Sequence, residues 1–131
     1  MKRRALLALG TGIALGGCLG NRHSPSIRID SIRLSNNRTE PYEIEVWIES
    51  NDEEVFRNEY RLGTGPESST MVIHDPVNGK KHYELLFRAD GQTDIISPSE
   101  YDDINGECVA VQYELHQQNT RGFNIQQSEG C

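Results

Sequence analysis

Residues 42–50 read YEIEVWIES, and this stretch decides the fold class. Ile44, Val46 and Ile48 occupy alternate positions, with glutamates and a tryptophan between them. Because successive side chains of a β-strand point to opposite faces of a sheet, this period of two predicts a half-buried strand. An Asn-Asp pair at 51–52 follows at once and predicts a tight hairpin turn, since both residues tolerate the left-handed backbone conformation.

The same alternation recurs from residue 26 onward, in short runs separated by turn residues and without a long helical period. Seven or eight short strands of this kind predict an all-β fold, an antiparallel sandwich. The other predicted strands cover residues 26–34 with a bulge near 30–31, 55–62, an edge strand at 71–74, 83–89, 95–96 and 108–116, and a last strand marked by Phe123 and Ile125.

The first residues form an export signal. Three basic residues at 2–4 precede an apolar run at 5–15, which is shorter than the roughly 20 residues of a membrane-spanning helix. The paired arginines resemble a twin-arginine signal, and the general secretory route stays open. We expect residues 1–17 to be a cleaved signal peptide, 18–25 a tether and 26–131 the β-sandwich domain.

The segment Leu15–Cys18, LGGC, resembles a lipobox. The resemblance implies lipidation of the Cys18 thiol, which would anchor the exported protein to the outer face of the cell membrane. The alternative is a buried or disulfide-bonded cysteine that merely follows a signal peptide. Lipidation also leaves an even number of cysteines in the exported chain.

Cys108 and Cys131 are the remaining pair, and we expect a disulfide between them. If residues 116–123 form a hairpin, a two-residue turn at 119–120 sets Cys108 opposite Cys131. The apolar pattern favours another register, with Leu115 opposite Phe123 and Tyr113 opposite Ile125, which sets Gly130 opposite Cys108. Free thiols or a metal pair are the alternatives, and export disfavours both.

The charge of the chain excludes one class of partner. The full chain has 13 Lys+Arg against 20 Asp+Glu, a formal charge of −7. Without the three basic residues of the leader, 10 positive charges remain against 20 negative ones, which gives −10. A nucleic acid would be repelled. Only two lysines, Lys80 and Lys81, remain after the leader, and such an acidic, lysine-poor surface is similar to that of secreted halophile proteins; an ordinary acidic surface protein is the alternative.

Three features of the exported chain resemble small immunoglobulin-like domains of archaeal surface lipoproteins. They are IRLSNNRTEPYEIEVWIES at 32–50, YELLFRADG at 83–91 and the late cysteine pair. The resemblance implies an immunoglobulin-like sandwich that acts at the cell surface as a non-enzymatic binding, accessory or envelope-structural module, with an unknown protein or glycan partner. The hallmark tryptophan and inter-sheet disulfide of antibody domains are not at matching places, so the resemblance concerns architecture.

Two rival functions depend on side chains that would have to converge. A metal-binding or electron-transfer lipoprotein would need several of the four histidines, at 23, 74, 82 and 116, and the thiolate–histidine–methionine pattern of blue copper lacks a methionine after His116. A hydrolase would need a catalytic set, and the sequence has no phosphate loop or nucleophile motif. We therefore expect no cofactor, no metal and no enzymatic activity.

Two surface features remain as candidate sites. Asn37-Arg38-Thr39 is an N-glycosylation sequon in a predicted turn, and modification of Asn37 is left open. Trp47 and Leu86 both face outward by the alternation rule, and they would form a small apolar partner patch if their strands are neighbours. The alternative for Trp47 is a ring covered by a loop or by nearby arginine stems.

Overall fold

The structure is a computed structural model that describes residues 26–101 and 108–129. It is all-β, as predicted, and its strands are β1 Arg28–Asn36, β2 Tyr42–Ser50, β3 Glu53–Leu62, β4 Thr70–His74, β5 Glu84–Ala89, β6 Gln92–Ile96, β7 Cys108–His116 and β8 Thr120–Gln127. A single 3-10 turn at Pro98–Glu100 is the helical element of these two ranges. Within residues 26–101 and 108–129, no helix has the length and apolarity needed to cross a bilayer.

The strands form two four-stranded sheets with a shared core. Their orders are β4-β1-β7-β8 and β3-β2-β5-β6. The inward residues of β2 are fully buried, as the alternation predicted, and they belong to the same apolar cluster as the inward residues of β1 and β7. The rings of Phe87 on β5 and Tyr113 on β7 stack between the sheets, with centroids 4.3 Å apart. A sandwich of two sheets follows from this packing.

Two hairpins use two-residue turns whose backbone is left-handed at both positions. Asn51 and Asp52 join β2 to β3 with φ of 53° and 64°. Asp90 and Gly91 join β5 to β6 with φ of 57° and 70°. Positive φ at both central residues is the type I′ geometry, whose twist matches that of the flanking strands. The turn at Asn51 and Asp52 lies where the sequence predicted it.

The strand β1 contains the predicted bulge, between Ile29 and Ser31. It pairs with β4 in antiparallel orientation and with β7 in parallel orientation. The parallel pair departs from the purely antiparallel sandwich expected from the sequence. Alternation predicts which side chains of a strand face the core, and it carries no information about the direction of the neighbouring strand.

The register of the last hairpin differs from both predicted registers. Tyr113 lies opposite Phe123 and His116 opposite Thr120, with residues 117–119 between them. Ser128 lies beside Cys108, and its N–H donates to the Cys108 carbonyl at 2.9 Å. Arg121 lies opposite Leu115, and its guanidinium donates to the carboxylates of Asp94 and Asp90, contacts that an apolar pattern cannot predict.

Candidate functional site

The structure brings Trp47 and Leu86 directly opposite each other on β2 and β5, on the outer face of their sheet. Ile95 on β6 lies opposite Leu86 and is 60% exposed. These three side chains form a line across three strands, here called the apolar row. Sequence reasoning missed Ile95, because two consecutive isoleucines at 95–96 do not reveal which one faces outward.

Arg57 on β3 continues this line beyond Trp47. Its guanidinium carbon lies 5.0 Å from the centroid of the Trp47 ring, within cation–π range. Glu45 and Glu54 accept hydrogen bonds from the same guanidinium, at 2.8 and 3.0 Å. The hydrogen bond with Glu45 is the main reason why the pKa of Arg57 is raised. The ring of Trp47 is therefore half-buried and partly covered by one arginine.

Carboxylates border the apolar row on both sides. On one side, two positions from Trp47 and Leu86 along their strands, Glu49 lies opposite Glu84. On the other side, at the same distance, Glu45 on β2 lies between Glu59 on β3 and Arg88 on β5. Five glutamates and two arginines surround the row when Glu54 and Arg57 are included, a formal balance of −3. Like charges directly opposite on adjacent strands destabilise a sheet, so the pair Glu49–Glu84 is costly for folding.

An open groove of about 440 Å³ adjoins the border that contains Glu45. Its charged lining consists of Glu43, Glu45, Glu59, Arg61, Arg88 and Asp90. Within residues 26–101 and 108–129, no group of three or more histidine, cysteine or acidic side chains is placed to hold a metal ion.

A second polar constellation centres on Asp90, at one end of the sandwich. Arg38 donates to both carboxylate oxygens of Asp90 at 2.7 Å, and both side chains are 8% exposed. The hydroxyl of Tyr42 donates to Asp90 Oδ1 at 2.6 Å, and Arg121 donates to Oδ2 at 3.0 Å. The bidentate bond from Arg38 is the main reason why the pKa of Asp90 lies well below its usual range.

Asp94 extends this network into the core. It accepts a hydrogen bond from Arg121 Nε at 2.6 Å and another from the hydroxyl of Tyr113 at 2.7 Å. Burial, followed by the hydrogen bond to Asp94, raises the pKa of Tyr113 far above its usual value. The carboxylates are held as fixed anions by arginine and tyrosine donors. The network joins the β1–β2 connection, the β5–β6 turn and the β7–β8 hairpin, which is a structural role.

Among the residues that the structure describes, the remaining candidates lie apart from the apolar row. Asn37 is exposed between the buried Asn36 and the ion-paired Arg38. His74 and His82 are exposed, and His116 lies 3.4 Å from Glu114. Cys108 is buried at the start of β7. Cys18, His23 and Cys131 lie outside the described residues, so the predicted lipidation and disulfide stay predictions.

Comparison with known proteins gives one distant likeness. No family model matches the chain, and no curated protein does. The NMR structure of a protein from Eubacterium rectale is similar at 14% identity and a TM-score of 0.41, over 84% of this chain and 95% of that chain. No function is carried over from a likeness of this kind, and the candidate site is defined by the geometry of this chain.

Proposed function

We propose that this protein is an exported lipoprotein, anchored through Cys18 to the outer face of the cell membrane, and that its domain is a non-enzymatic binding, accessory or envelope module. The observation that carries the binding role is the apolar row on the outer face of one sheet. Tryptophan and large aliphatic side chains grouped on an exposed face are typical of docking surfaces.

The proposed architecture is immunoglobulin-like in the broad sense of two packed, mostly antiparallel sheets. Eight strands in two layers support it. The partition of strands is not that of antibody constant domains, where the first two strands share a sheet; here β1 and β2 lie in different sheets. The proposed similarity to archaeal surface lipoproteins is therefore a similarity of two-sheet architecture, without the strand partition of antibody domains.

The anchor is tested by substituting Cys18→Ser in the native host. We expect the variant to leave the membrane fraction, either released into the medium or retained as uncleaved precursor. Mass spectrometry of the native protein should find a lipid on Cys18. An intact exported chain whose Cys18 carries no lipid would refute the anchor and leave the binding role to be tested separately.

The binding role is tested by photo-crosslinking in intact cells. A photoreactive residue replaces Ile95 in the apolar row or, as a matched control, the exposed Asn124 on the outer face of the other sheet. We expect a defined protein or glycoconjugate to be labelled from position 95 and not from position 124. Equal labelling from both positions, or none from position 95, would contradict a binding role for this face.

A further inference from the structure

We propose that the apolar row docks a polypeptide segment of another protein that has an apolar centre and Lys or Arg on both sides. This inference rests on the proposed binding function and names the chemistry of its partner. It follows from the dimensions of the row, from the charges along its borders and from the contact between Arg57 and Trp47.

The dimensions limit the size of the segment. The row crosses β2, β5 and β6, and two strand spacings give it a length of about 10 Å. The bordering residues lie two positions along each strand, about 7 Å from the row. A segment that lies along the row covers it with about three apolar side chains, and the long side chains of the Lys or Arg residues beside this centre turn toward the carboxylates, about 7 Å to either side of the row.

The acidic borders favour a positively charged partner. Glu49 and Glu84 lie opposite each other, and neither makes a hydrogen bond or ion pair within the described part of the chain. Their repulsion weakens the sheet and serves no visible purpose in the fold. A cation supplied from outside would turn this repulsion into attraction. The formal balance of −3 around the row makes a basic partner the complementary one.

The contact between Arg57 and Trp47 shows what chemistry the row accepts. The guanidinium lies over the indole ring at 5.0 Å from its centroid, and two glutamates hold it there. A partner arginine or lysine that approaches the free part of the ring from the side of Glu49 would repeat this arrangement.

Two other occupants fit the charges poorly. A second copy of the chain carries the same acidic borders, and a two-fold pairing of this face would oppose them. An anionic membrane surface is repelled for the same reason. Both occupants are outcomes of the test below, and either would overturn the proposal.

The test uses the full chain, purified in detergent, and the emission of Trp47, which is the only tryptophan. The probe is a synthetic peptide, Lys-Lys-Leu-Ile-Leu-Lys-Lys. One control peptide replaces its lysines with glutamate, and another replaces its apolar centre with serine. We expect a saturable emission shift with the probe, no shift with the glutamate peptide, and at least fivefold weaker binding of the serine peptide. At molar salt, the advantage of lysine over glutamate should shrink because charges are screened.

The double variant Glu49→Gln/Glu84→Gln should bind the probe about fivefold more weakly, since two exposed charge contacts are lost. It should also unfold at the same temperature or higher, because a repulsion is removed. The matched control Glu40→Gln/Glu67→Gln removes two exposed carboxylates away from the row and should bind as the native protein does.

Four outcomes overturn the inference: equal binding of the lysine and glutamate peptides, no binding of the probe, an equal emission shift with anionic lipid vesicles, or self-association in sedimentation that Ile95→Glu abolishes. The proposed function fails by a different result, the loss of crosslinking from position 95. If crosslinking succeeds and the peptides fail, the binding role stands and its assigned chemistry is wrong.

Discussion

Asp90 is the residue on which one end of the sandwich depends. Its carboxylate accepts hydrogen bonds from Arg38, Tyr42 and Arg121. We expect Asp90→Asn to lower the free energy of unfolding by about 3 kcal/mol, because it leaves the poorly exposed guanidinium of Arg38 without its anion and removes one of the two carboxylates that pair with Arg121. Urea denaturation measures the effect. Asp75→Asn is the control, since the ion pair between Asp75 and Arg28 is exposed, and its loss should cost no more than about 0.5 kcal/mol.

The same carboxylate gives the folded protein a dependence on acid. A pKa that is lowered in the folded state stabilises the fold above the ordinary aspartate pKa of about 3.9, and this contribution is lost as the pH falls toward the lowered value. The stability of the native protein should therefore decline below about pH 4. The decline should be shallower in Asp90→Asn, which cannot titrate there. Parallel curves for the two proteins would contradict this assignment.

At the scale of the element, the type I′ hairpins offer a matched pair of substitutions. Gly91 and Asp52 occupy the same second position of their turns, with φ of 70° and 64°. Gly91→Ala should destabilise the protein by about 1 kcal/mol, since a Cβ there meets no atom within 4 Å and the cost is purely conformational. Asp52→Gly should stabilise it by up to about 1 kcal/mol. Thermal unfolding of both variants checks the signs, and equal signs would be inconsistent with left-handed strain at position 52.

The end of β8 is the element that bears on the predicted disulfide. Ser128 lies beside Cys108, so the chain returns to the start of β7 shortly before Cys131. We expect non-reducing peptide mapping to find Cys108 linked to Cys131, and reduction to lower the free energy of unfolding by about 3 kcal/mol. Quantitative alkylation of both thiols in the native, unreduced protein would refute the bond.

At the scale of the whole molecule, charge decides the conditions under which the fold is stable. Residues 18–131 have a formal charge of −10, from 10 basic and 20 acidic residues. Salt at 1 M shortens the screening length to about 3 Å and reduces carboxylate repulsion. The thermal midpoint should rise clearly between dilute buffer and molar KCl. A flat midpoint over that range would contradict the expected similarity to halophile proteins.

The sequence located each strand, although it placed β1 at 26–34 and β6 at 95–96, and it did not determine how the strands are arranged. The limits of β2 and β7 were predicted to the residue, and the bulge in β1 was located, because a period of two and its interruption are local signals. The parallel partner of β1 and the register of β8 depend on contacts between distant residues. The Asp90 network was missed for the same reason, since Asp90 by itself indicates only a turn.

The position of β1 within its sheet governs how the domain would bear a mechanical load. Ser26 lies two residues before the start of β1, and β1 lies between β4 and β7. A pull applied at Ser26 along the direction of β1 acts parallel to the strand, while the hydrogen bonds on either side run across it. All of them are then strained together in shear, and none can be peeled away first as in an unzipping hairpin. Under a force applied at its N-terminal end, the domain therefore resists unfolding through the hydrogen bonds of β1 with β4 and with β7 at the same time.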